Sequence, residues 1–122
     1  MTSNEESGRS DRLSATPRTV GGVRVVTLRG EIDHTTKDVL EHALLERSGT
    51  AEPLRVVADL EGVTFLDSSG LNVLISVNRQ VGETGGRLRI AAAQQAVRRV
   101  LTLVGVDTVI DCRPTLEDAL HD

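Results

Sequence analysis

The chain has 122 residues, of which 39% are hydrophobic and 26% charged, the proportions of a single soluble globular domain. Phe65 is the sole aromatic residue, without Tyr or Trp, and the formal net charge is -4. These features argue against bases stacked on aromatic platforms and against attraction to a phosphate backbone, so nucleic acid is not an expected partner.

Residues 1–17 are rich in Ser, Thr, Glu, Asp and Arg without periodicity, and read as a flexible N-terminal tail ahead of one domain over 18–122. Arg18 to Val20 and Val23 to Leu28, separated by Gly21-Gly22, predict a β-hairpin. Thr35-Thr36-Lys37-Asp38 has the form of a capping box, followed by Val39, Leu40, Ala43 and Leu44 on one helical face, with Gly49 placed to end the helix. Leu54 to Leu60, between Pro53 and Gly62, is short and apolar, as expected of a central strand covered on both faces.

A second helix is predicted from the Asp67-Ser68-Ser69 segment towards Val81, apolar around much of its circumference and therefore well buried. Leu88 to Ala91 supplies another strand. Ala96, Val97, Val100, Leu101 and Val104 mark a third helix stopped by Gly105, Val109-Ile110 a last short strand, and Thr115 to Asp118 a final short helix. Alternation of this kind predicts an α/β fold, a mainly parallel sheet of four to five strands with an antiparallel edge, packed by about four helices.

Two segments concentrate chemistry. Asp67-Ser68-Ser69-Gly70 lies where a buried helix begins. Asp and Ser are ordinary N-cap residues, yet a helix N-terminus also offers N–H donors and a positive dipole end to a phosphate, so capping and function are compatible. Glu31, Asp33 and His34 sit between a strand and the first helix, where solvated charge and capping are the ordinary use of such residues.

A catalytic reading, with Ser68 as nucleophile and His34 as base, lacks the Gly-x-Ser-x-Gly turn that poises a serine, so no catalytic residue is expected. Cys112 is the single cysteine, and His34, His42 and His121 show no ligand spacing, so no metal is expected. Without a Gly-x-x-x-x-Gly-Lys loop no nucleotide cofactor is expected either. Met1 to Ser10 is polar and no apolar run approaches the ~20 residues of a spanning helix, so the expected location is the cytoplasm, without direct membrane insertion.

The run Asp59-Leu60-Glu61-Gly62-Val63-Thr64-Phe65-Leu66-Asp67-Ser68-Ser69-Gly70-Leu71 resembles the signature of the STAS-domain anti-sigma-factor antagonists of bacterial sporulation and general stress responses. Gly30-Glu31-Ile32-Asp33-His34 is similar to their second characteristic segment, in the right order. The resemblance covers about Arg18 to Leu120. It implies a STAS fold and a partner switch: the unmodified antagonist binds an anti-sigma factor that is also a serine-protein kinase, the sigma factor is freed for transcription, and phosphorylation of the antagonist reverses this.

In that scheme the phosphate acceptor is Ser68, a serine phosphatase restores the free hydroxyl, and the partner-binding residues are Glu31, Asp33, His34, Asp67, Ser68, Ser69, Gly70, Leu71 and Asn72. Asn72 departs from the family, whose members commonly carry a second glycine there. A soluble STAS scaffold or transporter-associated regulatory subunit, not acting on a sigma factor, is the alternative that the same fold implies.

Overall fold

Residues 12–46 and 53–121 are described by a computed structural model. Five strands form one sheet in the order β1 (Leu13–Val20), β2 (Val23–Ile32), β3 (Arg55–Leu66), β4 (Arg87–Ala91) and β5 (Asp111–Arg113). β1 and β2 are an antiparallel hairpin; every later pairing is parallel. The helices are α1 (Lys37–Leu45), α2 (Ser68–Gly82), α3 (Gln95–Leu103) and α4 (Leu116–Leu120), with a 3₁₀ turn over Val106–Thr108.

Side chains alternate across a strand, and that alternation divides the core. Val26 and Leu28 of β2, Val56, Ala58 and Leu60 of β3 and Ile90 of β4 share one packed layer with Leu40 and Leu44 of α1, Leu74 and Val77 of α2, and Val97 and Leu101 of α3. Val25, Val57 and Ala91 form a smaller layer with Ala119 of α4. β3 therefore has buried residues on both faces, as its apolar run predicts.

Four expectations need correction. The tail reading fails at Leu13–Pro17: these residues belong to β1, because Leu13 and Ala15 are buried in the main core and the segment pairs with Val26 to Gly30. Polar composition hides them, since only alternate residues of an edge strand need be apolar. The capping box is not formed. Thr36 is the N-cap residue of α1, but its hydroxyl donates to the Glu31 carbonyl (2.9 Å) and accepts from the Asp33 N–H (2.9 Å) instead of binding the helix.

The last strand begins two residues later than expected, at Asp111, with Ile110 buried just before it and Val109 exposed. α2 is also less enclosed than its composition implies: Leu71, Val73, Leu74, Val77 and Val81 are buried, whereas Asn72, Ile75 and Arg79 face solvent. Gly49 and residues 1–11 lie outside the described residues.

Candidate functional site

Parallel pairing of β2 with β3 places Ile32 opposite Leu66, so the residues that follow, Asp33 and Asp67, emerge side by side at the carboxyl ends of adjacent strands. The Asp67 N–H donates to the Ile32 carbonyl at 3.2 Å and locks the two loops together. Two segments 34 positions apart in sequence thus become one site by strand register.

Asp67 has extended backbone and is the N-cap residue of α2; its Oδ1 accepts from the Ser69 N–H (2.9 Å) and the Gly70 N–H (3.3 Å). Ser68 is the first helical residue and is exposed, with Ser69 half-buried and Gly70 and Leu71 buried behind it. A Cβ on Gly70 would lie 2.4 Å from both Ile32 Cγ2 and Leu66 Cδ1, so hydrogen alone fits where α2 meets the two strand ends. The motif thus combines a cap, an outward hydroxyl and a close helix–sheet contact.

Asp33 is 7% exposed and heavily engaged. Its Oδ1 accepts from the Thr35 N–H (2.9 Å) and the Thr35 hydroxyl (2.7 Å), and its Oδ2 pairs with the Arg12 guanidinium at 2.8 Å. The Thr35 hydrogen bonds, with the charges of Arg12 and His34 adding to them, hold this carboxyl below the ordinary aspartate range against the opposing effect of burial. Arg12 also pairs with Glu31, and its guanidinium is held more firmly protonated by Glu31 and Asp33. His34 is exposed beside them.

Gly30 explains how Arg12 gets there. Its φ of +118° is open to glycine, and a Cβ at this position would lie 2.0 Å from the Arg12 carbonyl oxygen. The Arg12 carbonyl instead accepts from the Glu31 N–H at 2.9 Å, which brings the guanidinium over the two acids.

Thr64 is an extra residue in β3, a bulge between the Gly30–Val63 and Glu31–Phe65 pairs. It interrupts the inward–outward alternation, so that Thr64 and Phe65 are exposed in succession, Phe65 to 47%. Arg12, Glu31, Asp33, His34, Thr64, Phe65 and Asp67 consequently line one shallow groove of about 500 Å³ beside the start of α2.

All the residues singled out in the two segments therefore lie at or next to this groove or on the first turn of α2. The sequence reasoning missed Arg12, assigned to a tail, and the exposure of Phe65, noted for its rarity and as part of the signature run but given no role in the site. Gly30 was the available clue to Arg12, because a glycine before two acids signals a close backbone neighbour. Among the described residues no three His, Cys, Asp or Glu side chains gather as a metal site. No helix among them is long and apolar enough to cross a membrane.

A family model described as the STAS domain matches residues 14–119. The chain belongs to the STAS domain family. This STAS domain is 34% identical over 110 residues to the anti-sigma-F factor antagonist RsfB of Mycobacterium tuberculosis, covering 90% of the chain and 88% of that protein. It is 31% identical over 85 residues to an anti-sigma F factor antagonist of Paenibacillus polymyxa, covering 70% and 73%.

Among solved structures, an anti-sigma factor antagonist from Mycobacterium paratuberculosis superimposes on the STAS domain with a TM-score of 0.79 at 34% identity, covering 93% of this chain and 95% of that one. The α/β architecture expected from the sequence, with its antiparallel edge and four helices, is the fold observed.

Proposed function

We propose that this STAS domain is a cytoplasmic anti-sigma-factor antagonist without enzymatic activity of its own. It binds an anti-sigma factor/serine kinase through the first turn of α2 and the adjoining groove, and it lets go when Ser68 is phosphorylated. The observation that carries the reading is the placement of Ser68: an exposed hydroxyl at the first helical position, directly after Asp67, which lines a groove together with Glu31 and Asp33. Relatives that carry the antagonist name match over nearly the whole chain.

Ser68, Asn72, Ile75 and Arg79 follow one another at helical spacing on the exposed side of α2. Ile75 on that side and Phe65 in the groove, 38% and 47% exposed, supply apolar anchors on either side of Ser68. Glu31, Asp33, His34 and Asp67 form the polar rim, and Asn72 takes the place of a family glycine without entering the core. A partner seated on this surface covers the serine hydroxyl.

The helix donors nearest Ser68, the Ser69 and Gly70 N–H groups, are already taken by Asp67. A phosphate on Ser68 therefore keeps its charge, about -1.5 to -2, facing outwards unless it displaces Asp67. A docked partner would have to strip water from that charge, which is strongly unfavourable without a matching cation. Moving an interaction from almost fully bound to almost fully free takes about 5.5 kcal/mol, within reach of one desolvated phosphate and requiring no refolding. A serine phosphatase resets the switch.

Capture from native cells followed by phosphosite mapping tests the reading. The anti-sigma kinase should co-purify with the unmodified protein. With that kinase and ATP, Ser68→Ala should abolish phosphorylation and keep binding, and Ser68→Asp should weaken binding at least about tenfold, or 1.4 kcal/mol. Phosphate mapped to Ser69 or elsewhere overturns the acceptor assignment; recovery of a membrane transporter in place of a kinase overturns the antagonist reading.

A further inference from the structure

At the sheet edge formed by β5, the last crossover is incompletely filled. α3 crosses from β4 to β5 and leaves between itself and β5 a cleft of about 330 Å³, at the lower end of the ~300–1,000 Å³ range of small-molecule sites. Its apolar wall is Ile90 of β4, Ala93 and Leu101, with Pro114 at the margin. Where a tightly packed crossover would insert a large side chain, the sequence supplies Ala93, Thr102, Cys112 and Pro114, none of which reaches across.

The polar groups of the cleft divide unequally. Arg113 is bound to Asp111 through two hydrogen bonds of 2.8 and 2.9 Å and to the Asp118 carbonyl at 3.0 Å, and Arg89 holds the same carboxylate at 3.0 Å, so Asp111 and both arginines are engaged. Arg98, on α3, has no side-chain hydrogen bond or ion pair among the described residues. Asp107, in the 3₁₀ turn, accepts among the described residues only from the Thr102 hydroxyl, at 3.2 Å, leaving acceptor capacity unused. An apolar wall with one free cation and one under-used carboxylate matches a molecule with an aliphatic body, one anionic end and one hydrogen-bond donor.

We propose that the α3–β5 cleft binds a small aliphatic carboxylate bearing an amine or hydroxyl, with Arg98 pairing its carboxylate and Asp107 accepting from its donor. None of the residues of the Ser68 loop and its groove lines this cleft, so the two sites share no side chain. Burial, with Asp107 and Asp111 nearby, pushes the Cys112 thiol up to about 11, and the protonated thiol is a poor nucleophile at neutral pH.

Cys112 reports occupancy because it lines the cleft and is the only cysteine of the chain. The rate of its modification by a small thiol reagent is followed in the full chain as L-leucine is added. Saturable slowing is expected, with the half-effect concentration rising about tenfold in Arg98→Gln, as for loss of one charge-assisted pair. Arg98 is exposed, so this variant should fold normally, which an unchanged melting curve verifies. No protection at about 10 mM leucine, the weak limit for a useful site, overturns the proposal, as does equal protection in wild type and Arg98→Gln.

Discussion

Replacing Gly70 by Ala isolates the contact that seats α2 on the sheet. The added Cβ would lie 2.4 Å from Ile32 Cγ2 and from Leu66 Cδ1, about 1 Å inside ordinary van der Waals contact. Neither neighbour has room to retreat, since Ile32 is 0% and Leu66 5% exposed. Overpacking of this kind costs about 1–3 kcal/mol, and the better helix propensity of Ala recovers up to about 1 kcal/mol of it. A net destabilisation of up to about 3 kcal/mol follows. Gly82, at the other end of the same helix, is the control: a Cβ there meets nothing within 4 Å, and Gly82→Ala should be neutral or stabilising by up to about 1 kcal/mol. Urea unfolding followed by far-ultraviolet circular dichroism measures both, because the chain has no Trp or Tyr for fluorescence. Equal stability of the two variants would refute the claim that α2 sits on its strands through a position only glycine can fill.

Two further outcomes concern charge. The folded-state lowering of the Asp33 carboxyl means that its contribution to stability is fully present above its ordinary value of 3.8 and is lost as pH falls through the lower folded value. Asp33→Asn should therefore flatten the acid limb of a plot of urea midpoint against pH, while Arg12→Gln should move the Asp33 titration, followed by NMR, back upwards; an unmoved titration would show Arg12 to be irrelevant to it. Arg89 is buried and donates to Asp111 (3.0 Å) and to the Ala119 and His121 carbonyls (2.9 and 2.7 Å), pinning the end of α4 to the sheet. Arg89→Met leaves those acceptors without this donor and should cost about 2–4 kcal/mol. Hydrogen exchange should quicken first in Leu116–Leu120, and unchanged protection there would contradict the pinning.

Elements with local signals were legible in the chain. The hairpin at Gly21-Gly22, the buried run of β3, and the start of α2 at Asp67 each depend on residues within a few positions of one another, where propensity and capping act directly. Where a partner is distant, local patterning misleads. Leu13–Pro17 looks like tail because a β1 edge strand needs β2 to show its purpose, and Thr35-Thr36 looks like a capping box because nothing nearby reveals that Thr36 ties β2 to the loop after it. The exposure of Phe65 follows from a bulge at Thr64, which exists only in the register of β3 against β2.

By itself, then, the sequence determined the order of elements, the parallel sheet and the two polar segments, because hydrophobic periodicity and turn residues are written within short stretches of chain. Tertiary structure decided what those segments become: Ile32 opposite Leu66 sets Asp33 beside Asp67, Gly30 admits the Arg12 backbone, and short side chains leave the α3–β5 cleft open. These outcomes depend on distances between residues far apart in the chain, and such distances are fixed only when strands pair and helices pack.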